Sequence, residues 1–217
     1  MKKSLILLSS FLALFVAAQE FDAKTFKLHN GAVQGNGILK LDGKEAYATI
    51  PGTENIMLSS PGVTFACAVK PAFDAKKGDS NQIMDSYFSR AGAPFTFCRW
   101  AGILSTRILN PKTNKYQIER AFAIPKANVW THIAFVLKPV EGKENTWQQC
   151  FYVNGKKVLD KTVENFIPVS GKGPIELGKG WGKTWMFTGE MADVFISQKA
   201  LADQEISELV QKSRAKK

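Results

Sequence analysis

The chain has 217 residues, with 29 Lys and Arg against 19 Asp and Glu, for a formal net charge of +10. That length suits one domain with a sizeable core. The positive charge is spread along the chain and no DNA- or RNA-binding motif accompanies it, so nucleic acid is not expected as a partner; a solvated surface or an anionic polymer fits better.

The first element in chain order is Met1-Lys2-Lys3 followed by an apolar stretch from Leu5 to Ala18, ending in Val16-Ala17-Ala18. A positive start, a short apolar segment and small terminal residues read as a secretory signal peptide over residues 1–18. The stretch falls short of the about 20 apolar residues that a membrane span needs, and it contains Ser9 and Ser10. No Cys follows it as in a lipoprotein. The expectation is an exported protein, periplasmic or extracellular. Its mature part, residues 19–217, loses Lys2 and Lys3 and so carries +10 − 2 = +8. No second apolar run is present, and the mature form is not expected to span a membrane.

Beyond residue 19, apolar and polar residues alternate with period 2 in short runs bounded by Gly, Pro and Asn. Strands are expected at Gly37 to Leu41, Ala46 to Ile50 and Val63 to Val69, where Pro71 closes the run. Others follow at Gln82 to Ser89, Phe95 to Trp100, Ile103 to Leu109 and Tyr116 to Ala123. Thr131 to Leu137 is apolar on both faces and reads as a central strand. Trp147 to Val153 and Lys156 to Val163 flank Asn154-Gly155, a hairpin signal because both turn positions tolerate positive φ. Ile175 to Leu177 and Gly189 to Ser197 complete the set. About a dozen strands with no helices between them mean a sandwich or barrel. One helix is expected at the end. There Leu201, Ile206, Leu209 and Val210 make an apolar stripe, and Asp203 and Glu205 occupy the first turn. It is expected to pack on the sandwich edge. A basic tail, Lys212 to Lys217, follows.

Cys67, Cys98 and Cys150 allow one disulfide and one remaining thiol in an oxidising compartment, and spacing does not choose the pair. No Cys-x-x-Cys motif supports redox chemistry.

Several segments occur in a familiar order. They are Leu39-Lys40-Leu41-Asp42-Gly43, then Ala46 to Pro51, Val63 to Pro71, Trp130 to Val136 and Phe151 to Lys156. Ile175-Glu176-Leu177-Gly178, Phe187 to Ile196 and Ala200 to Ile206 follow. Together, from about Gly31 to Val210, they resemble the laminin-G-like branch of the concanavalin A-like lectin and glucanase superfamily. The resemblance implies an all-β, two-sheet antiparallel jelly roll as a single domain over residues 19–217. It does not imply one function, because that fold hosts lectins, glycosidases, adhesion modules and packing domains.

Chemistry can be weighed against that background. Glycoside hydrolysis needs two carboxyl groups flanking the bond, and the superfamily's Glu-x-Asp-x-x-Glu run is absent. Glu190 and Asp193, three apart on a strand, point to opposite faces. Superfamily members hold a structural calcium through an Asp two residues before the Val of Asp-x-Val-x-Ile. Ala192 occupies that position, and Asp193 falls one residue later. The acidic calcium loop of pentraxins corresponds to Lys179 to Thr184, which has no carboxylate. His29 and His132 are isolated, so no zinc cluster is expected. The Gly173-to-Gly180 stretch nearly fits a P-loop but lacks its Ser or Thr and its helix. No nucleophile elbow occurs. The expectation is therefore no metal, no cofactor and no catalysis.

Glycan binding remains. Exposed aromatic rings meet the apolar faces of sugars, and Trp181 and Trp185 lie in a Gly- and Lys-rich loop, with Trp100 and Tyr116 as further candidates. The competing reading has Trp185 plugging the sandwich end and Trp130 in the core. The expected function is a binding module for polysaccharide or glycoprotein, or alternatively a structural or protein-interaction domain of the cell envelope; a glycoside hydrolase whose two carboxylates meet from different strands ranks third.

Overall fold

The computed structural model describes residues 19–20, 26–56, 58, 61–74, 84–90, 92, 94–100, 102–121, 123, 125–168, 171–181 and 185–216. The expected signal peptide, the start of the strand expected from Gln82 and loop residues 182–184 lie outside the described residues.

The strands form two antiparallel sheets. The eight-stranded sheet runs β13 (Lys156–Val163), β12 (Trp147–Val153), β11 (Thr131–Pro139), β6 (Val63–Pro71), β15 (Thr188–Ser197), β4 (Ile38–Asp42) and β3 (Val33–Gly35), with β1 (Gln19–Glu20) also paired to β15. The seven-stranded sheet runs β10 (Lys115–Ala121), β9 (Ile103–Asn110), β8 (Phe95–Trp100), β7 (Met84–Arg90), β14 (Ile175–Leu177), β5 (Tyr47–Ile50) and β2 (Lys27–His29). This is the expected all-β jelly-roll architecture. Among the described residues, no helix is long and apolar enough to cross a membrane.

Alternation explains the layers. One parity of each strand faces the other sheet, and those positions are aromatic or branched. Phe65, Phe95, Phe97, Phe135 and Phe151 stack through the centre, with ring centroids 4.9 Å apart for Phe65 and Phe95 and 5.8 Å apart for Phe135 and Phe151. Thr106 and Gln149 hydrogen-bond across this interior at 2.9 Å. Asp85 and Arg99, both fully buried, form an ion pair within the seven-stranded sheet, with Arg99 Nε donating to Asp85 at 2.7 Å and Nη1 donating to the Phe73 carbonyl at 3.2 Å. Arg90, also buried, donates to the carbonyls of Glu54 and Gly173, fastening two loops to β7.

Thr131 to Leu137 is buried on both faces, as a central strand should be. Asn154 and Gly155 take φ of +48° and +79°, the paired left-handed geometry of the expected hairpin. The short strands β1, β2 and β3 were not expected, because two or three residues carry too little alternation to register.

Other expectations are corrected. The helix α1 (Asp203–Lys212) lies on the outer face of the eight-stranded sheet, not on its edge. Its Ile206, with Leu201, covers Ala66, Ala134, Val136, Cys150, Tyr152 and Phe195, where small alanines on β6 and β11 let the helix approach. The three cysteines are free and buried. Cys67 faces the interior, Cys150 lies under the helix, and Cys98 sits on the outer side of the other sheet, so the three occupy different layers. Trp130 is half-buried and does not belong to the core.

Ala192 lies on β15 opposite Ala68 and is buried; a bulge follows it, and there Asp193 turns outward with φ of +51°. Asp193 accepts from the Arg214 backbone N–H at 2.6 Å, and Arg214 also donates to the Asn36 carbonyl. Part of the basic tail is therefore tied down by the chain itself.

Candidate ligand-binding face

The outer face of the seven-stranded sheet is built differently. Its register gives one cross-strand row of Ile118, Arg107, Thr96, Ser89, Glu176, Thr49 and Lys27. A second row holds Arg120, Ser105, Cys98 and Ser86. Charged and hydroxyl side chains stand here, where the helix-covered part of the other sheet's outer face is apolar.

Trp100 ends β8 and faces Ile103 across a turn in which Gly102 takes φ of +75°. Tyr116 sits on β10 opposite Leu109. Trp181 and Trp185 come from the segment between β14 and β15, which folds back on itself. The Gly180 N–H donates to the Trp185 carbonyl at 2.9 Å, the Phe187 N–H donates to the Gly178 carbonyl at 2.9 Å, and Lys179 pairs with Met186. Glycine is needed at 180: a Cβ there would lie 2.9 Å from that of Trp185 and 3.0 Å from that of Ser86. The absence of a side chain seats the tryptophan hairpin on the sheet.

All four aromatic candidates converge on one residue that the sequence did not single out, Arg107. Its guanidinium carbon is 4.4 Å from the Tyr116 ring centroid, 4.8 Å from Trp185, 5.8 Å from Trp100 and 5.9 Å from Trp181. Trp181 and Trp185 meet edge to face at 6.0 Å. Arg120 lies 4.2 Å from the Trp100 ring. Each such cation–ring contact contributes about 0.5–1 kcal/mol when exposed and more when desolvated. Trp185 is half-buried against the sheet face and does not plug the sandwich end, while Trp181 is 57 % exposed. Beneath the rings, Ser86, Thr96, Cys98 and Ser105 are buried; the hydroxyls of Ser86 and Thr96 and Nε of Arg107 have no hydrogen-bond partner among the described residues. Burial pushes the Cys98 thiol up to about 12, against the pull of Arg107, so it stays protonated.

The same face continues toward β5. Glu176 is held by Lys179 at 2.8 Å, Lys179 lies 4.1 Å from the Tyr47 ring, and Tyr47 stacks on His29 at 4.4 Å. His29 bonds Thr49 at 3.0 Å, and burial together with the Lys27 and Lys179 charges holds it below its usual range. Glu176 is the one carboxylate that strand register places on this face among the described residues. No group of three or more His, Cys, Asp or Glu among the described residues is arranged to hold a metal.

Arg107 was legible in principle. Ser105, Arg107 and Leu109 share one parity of a strand whose other parity is Leu104, Thr106 and Ile108, so an outward Arg is implied. That four rings surround it was not, because they lie on two other strands and one loop.

A family model described as the concanavalin A-like lectin/glucanases superfamily, laminin-G type, matches residues 42–207. Comparison with curated proteins gives no match. Among solved structures, the receptor-binding domain of botulinum neurotoxin C/D mosaic serotype aligns with a TM-score of 0.64 at 13% identity, covering 86% of this chain and 46% of that one. The serotype D ligand-binding domain, solved in complex with N-acetylneuraminic acid, gives 0.62 at 12% identity over 86% and 45%. Domain 4 of AbnA, an extracellular arabinanase from Geobacillus stearothermophilus solved in complex with arabinotriose, gives 0.56 at 17% identity over 86% and 82%. The chain thus spans less than half the length of the toxin domains. At these identities the likeness is one of fold.

Proposed function

This chain belongs to the concanavalin A-like lectin/glucanase superfamily, and within it we propose that it is an exported, non-catalytic module that binds carbohydrate across the outer face of its seven-stranded sheet. The observation that carries the reading is the convergence of Trp100, Tyr116, Trp181 and Trp185 on Arg107. Aromatic rings beside fixed polar groups suit a ligand with apolar C–H faces and hydroxyl edges. The exposed Trp181 ring offers the stacking surface. The strip from Arg107 on β9 to Thr49 on β5 crosses five strands, roughly 19 Å at ~4.8 Å per strand step, which suits an extended chain better than a single sugar. An arabinanase domain of the same fold was solved with arabinotriose, which agrees with this use of the scaffold.

One feature favours binding over hydrolysis. Glycosidases need a pair of carboxyl groups about 5–10 Å apart, and the face offers Glu176, already committed to Lys179. The Met1-to-Ala18 pattern supports export to the periplasm or beyond, where polysaccharide is met.

A polysaccharide pull-down and glycan array test the proposal. The expected result is retention on one glycan class without its cleavage, weakened about tenfold or more in W181A. No retained glycan at high protein concentration, or retention indifferent to W181A, contradicts it. Cleavage of a retained glycan contradicts the non-catalytic part.

A further inference from the structure

We infer that the saccharide this face takes is anionic, with its carboxylate or sulfate read by Arg107. The inference rests on the carbohydrate reading above and adds the ligand's charge.

A cluster of four rings usually suits a cation. Here the cation is supplied by the protein, since the Arg107 guanidinium stands within 6 Å of all four ring centroids. A cationic ligand would meet that charge and be repelled. A neutral ligand would leave it unbalanced, because neither Arg107 nor Arg120 has a carboxylate within 4.0 Å among the described residues. Several half-buried cations elsewhere are matched: Lys70 pairs with Glu190 and Lys157 with Asp160 and Asp203. The one carboxylate that strand register places on the face among the described residues, Glu176, is taken by Lys179.

The rings also prepare Arg107 for an anion. They flank the planar group and remove part of its water, which strengthens an ion pair. Nε is buried with no acceptor among the described residues. A carboxylate or sulfate presents two acceptor oxygens to the guanidinium fork in a bidentate pair. Arg107 is half-buried and the neighbouring Trp181 is exposed, so the site is open to solvent. A sugar ring stacked on Trp181 would carry its acidic substituent toward the guanidinium 5.9 Å away.

Calorimetric titration with matched pairs tests this. One arm compares oligogalacturonate with its methyl ester, and the other compares a heparin-derived oligosaccharide with its desulfated form. The expected result is binding about tenfold or more tighter for the acidic member of one arm, with the preference shrinking as salt rises. The arm that responds identifies carboxylate or sulfate. R107Q should collapse the acidic-to-neutral ratio toward one, whereas W181A should weaken both members and preserve the ratio. If R107Q does not fold, R107K decides: it keeps the charge but not the planar fork, and should lose about threefold or more on the acidic member alone. Equal binding of acidic and neutral members by the wild type overturns the charge inference alone. So does a loss in R107Q or R107K that is equal for both members, which would make Arg107 a support for the rings only. Binding of no member of either arm, nor of any glycan on an array, overturns the carbohydrate reading itself.

Discussion

The two outer faces of this sandwich solve opposite problems with the same strand geometry. On the eight-stranded sheet, outward positions such as Ala66, Ala134 and Val136 are small and apolar, and the chain covers them with α1 and the turn that follows. On the seven-stranded sheet, outward positions are Arg107, Arg120, Ser86, Thr96 and Glu176, and only a short tryptophan hairpin lies over part of them. One face is closed by its own C-terminus, and the other presents rings and cations to solvent. An apolar face without a cover would aggregate, and a polar face under a helix would bury unpaired charge. The composition of each face therefore states its purpose.

The largest expected effect falls on the covered face. Ile206 is fully buried between α1 and the sheet, so I206A should destabilise by about 2–5 kcal/mol in denaturant unfolding and leave glycan affinity unchanged. A loss of affinity without loss of stability would break the division between the faces.

Next comes pH. His132 shares the outer row of Ala192 and Ala68 beneath the terminal turn, and burial holds its imidazole down at about 4. The unfolded chain protonates near pH 6.5 and the folded one only near 4, so stability present above pH 6.5 is lost as pH falls. The wild-type advantage over H132Q should shrink by up to about 3 kcal/mol across that window. Asp85 works in the opposite direction. Burial lifts it to about 6 despite Arg99, so its contribution is present below pH 4 and lost as pH rises through 6. An advantage over H132Q that does not change with pH would show His132 to be accessible to protons in the folded state.

Smaller again is Thr64, which donates to the Lys199 carbonyl at 2.7 Å and accepts from the Leu201 N–H at 3.0 Å, pinning the approach to α1. T64V should cost about 1–3 kcal/mol. The smallest stability effect is expected on the open face, where W181A should stay within about 0.5 kcal/mol of wild type by thermal unfolding. A larger loss would mean that the tryptophan hairpin is a structural cover like α1.

Much of the fold was legible, because alternation over six or more residues and the Asn154-Gly155 turn leave few choices. The helix was legible as a helix but not in its place. Its partners, Ala66 on β6 and Ala134 on β11, are far away in sequence, and alanines do not advertise a docking face. For the site, the sequence showed which aromatics stand outside the core and missed what they surround. Trp100 and Trp185 are 85 positions apart, and only the strand order β9-β8-β7-β14 brings them to one arginine. The buried Asp85–Arg99 pair was likewise invisible, since each residue alone reads as a solvated charge.

The most direct measurement uses the protein's five tryptophans. Their indole N–H resonances can be followed by NMR while a bound polysaccharide fragment is titrated in. The account predicts that Trp100, Trp181 and Trp185 shift together with a common affinity, while Trp130 and Trp147, which lie away from the face, do not. Shifts at Trp130 or Trp147 with Trp181 and Trp185 unmoved would place the ligand elsewhere and contradict the account.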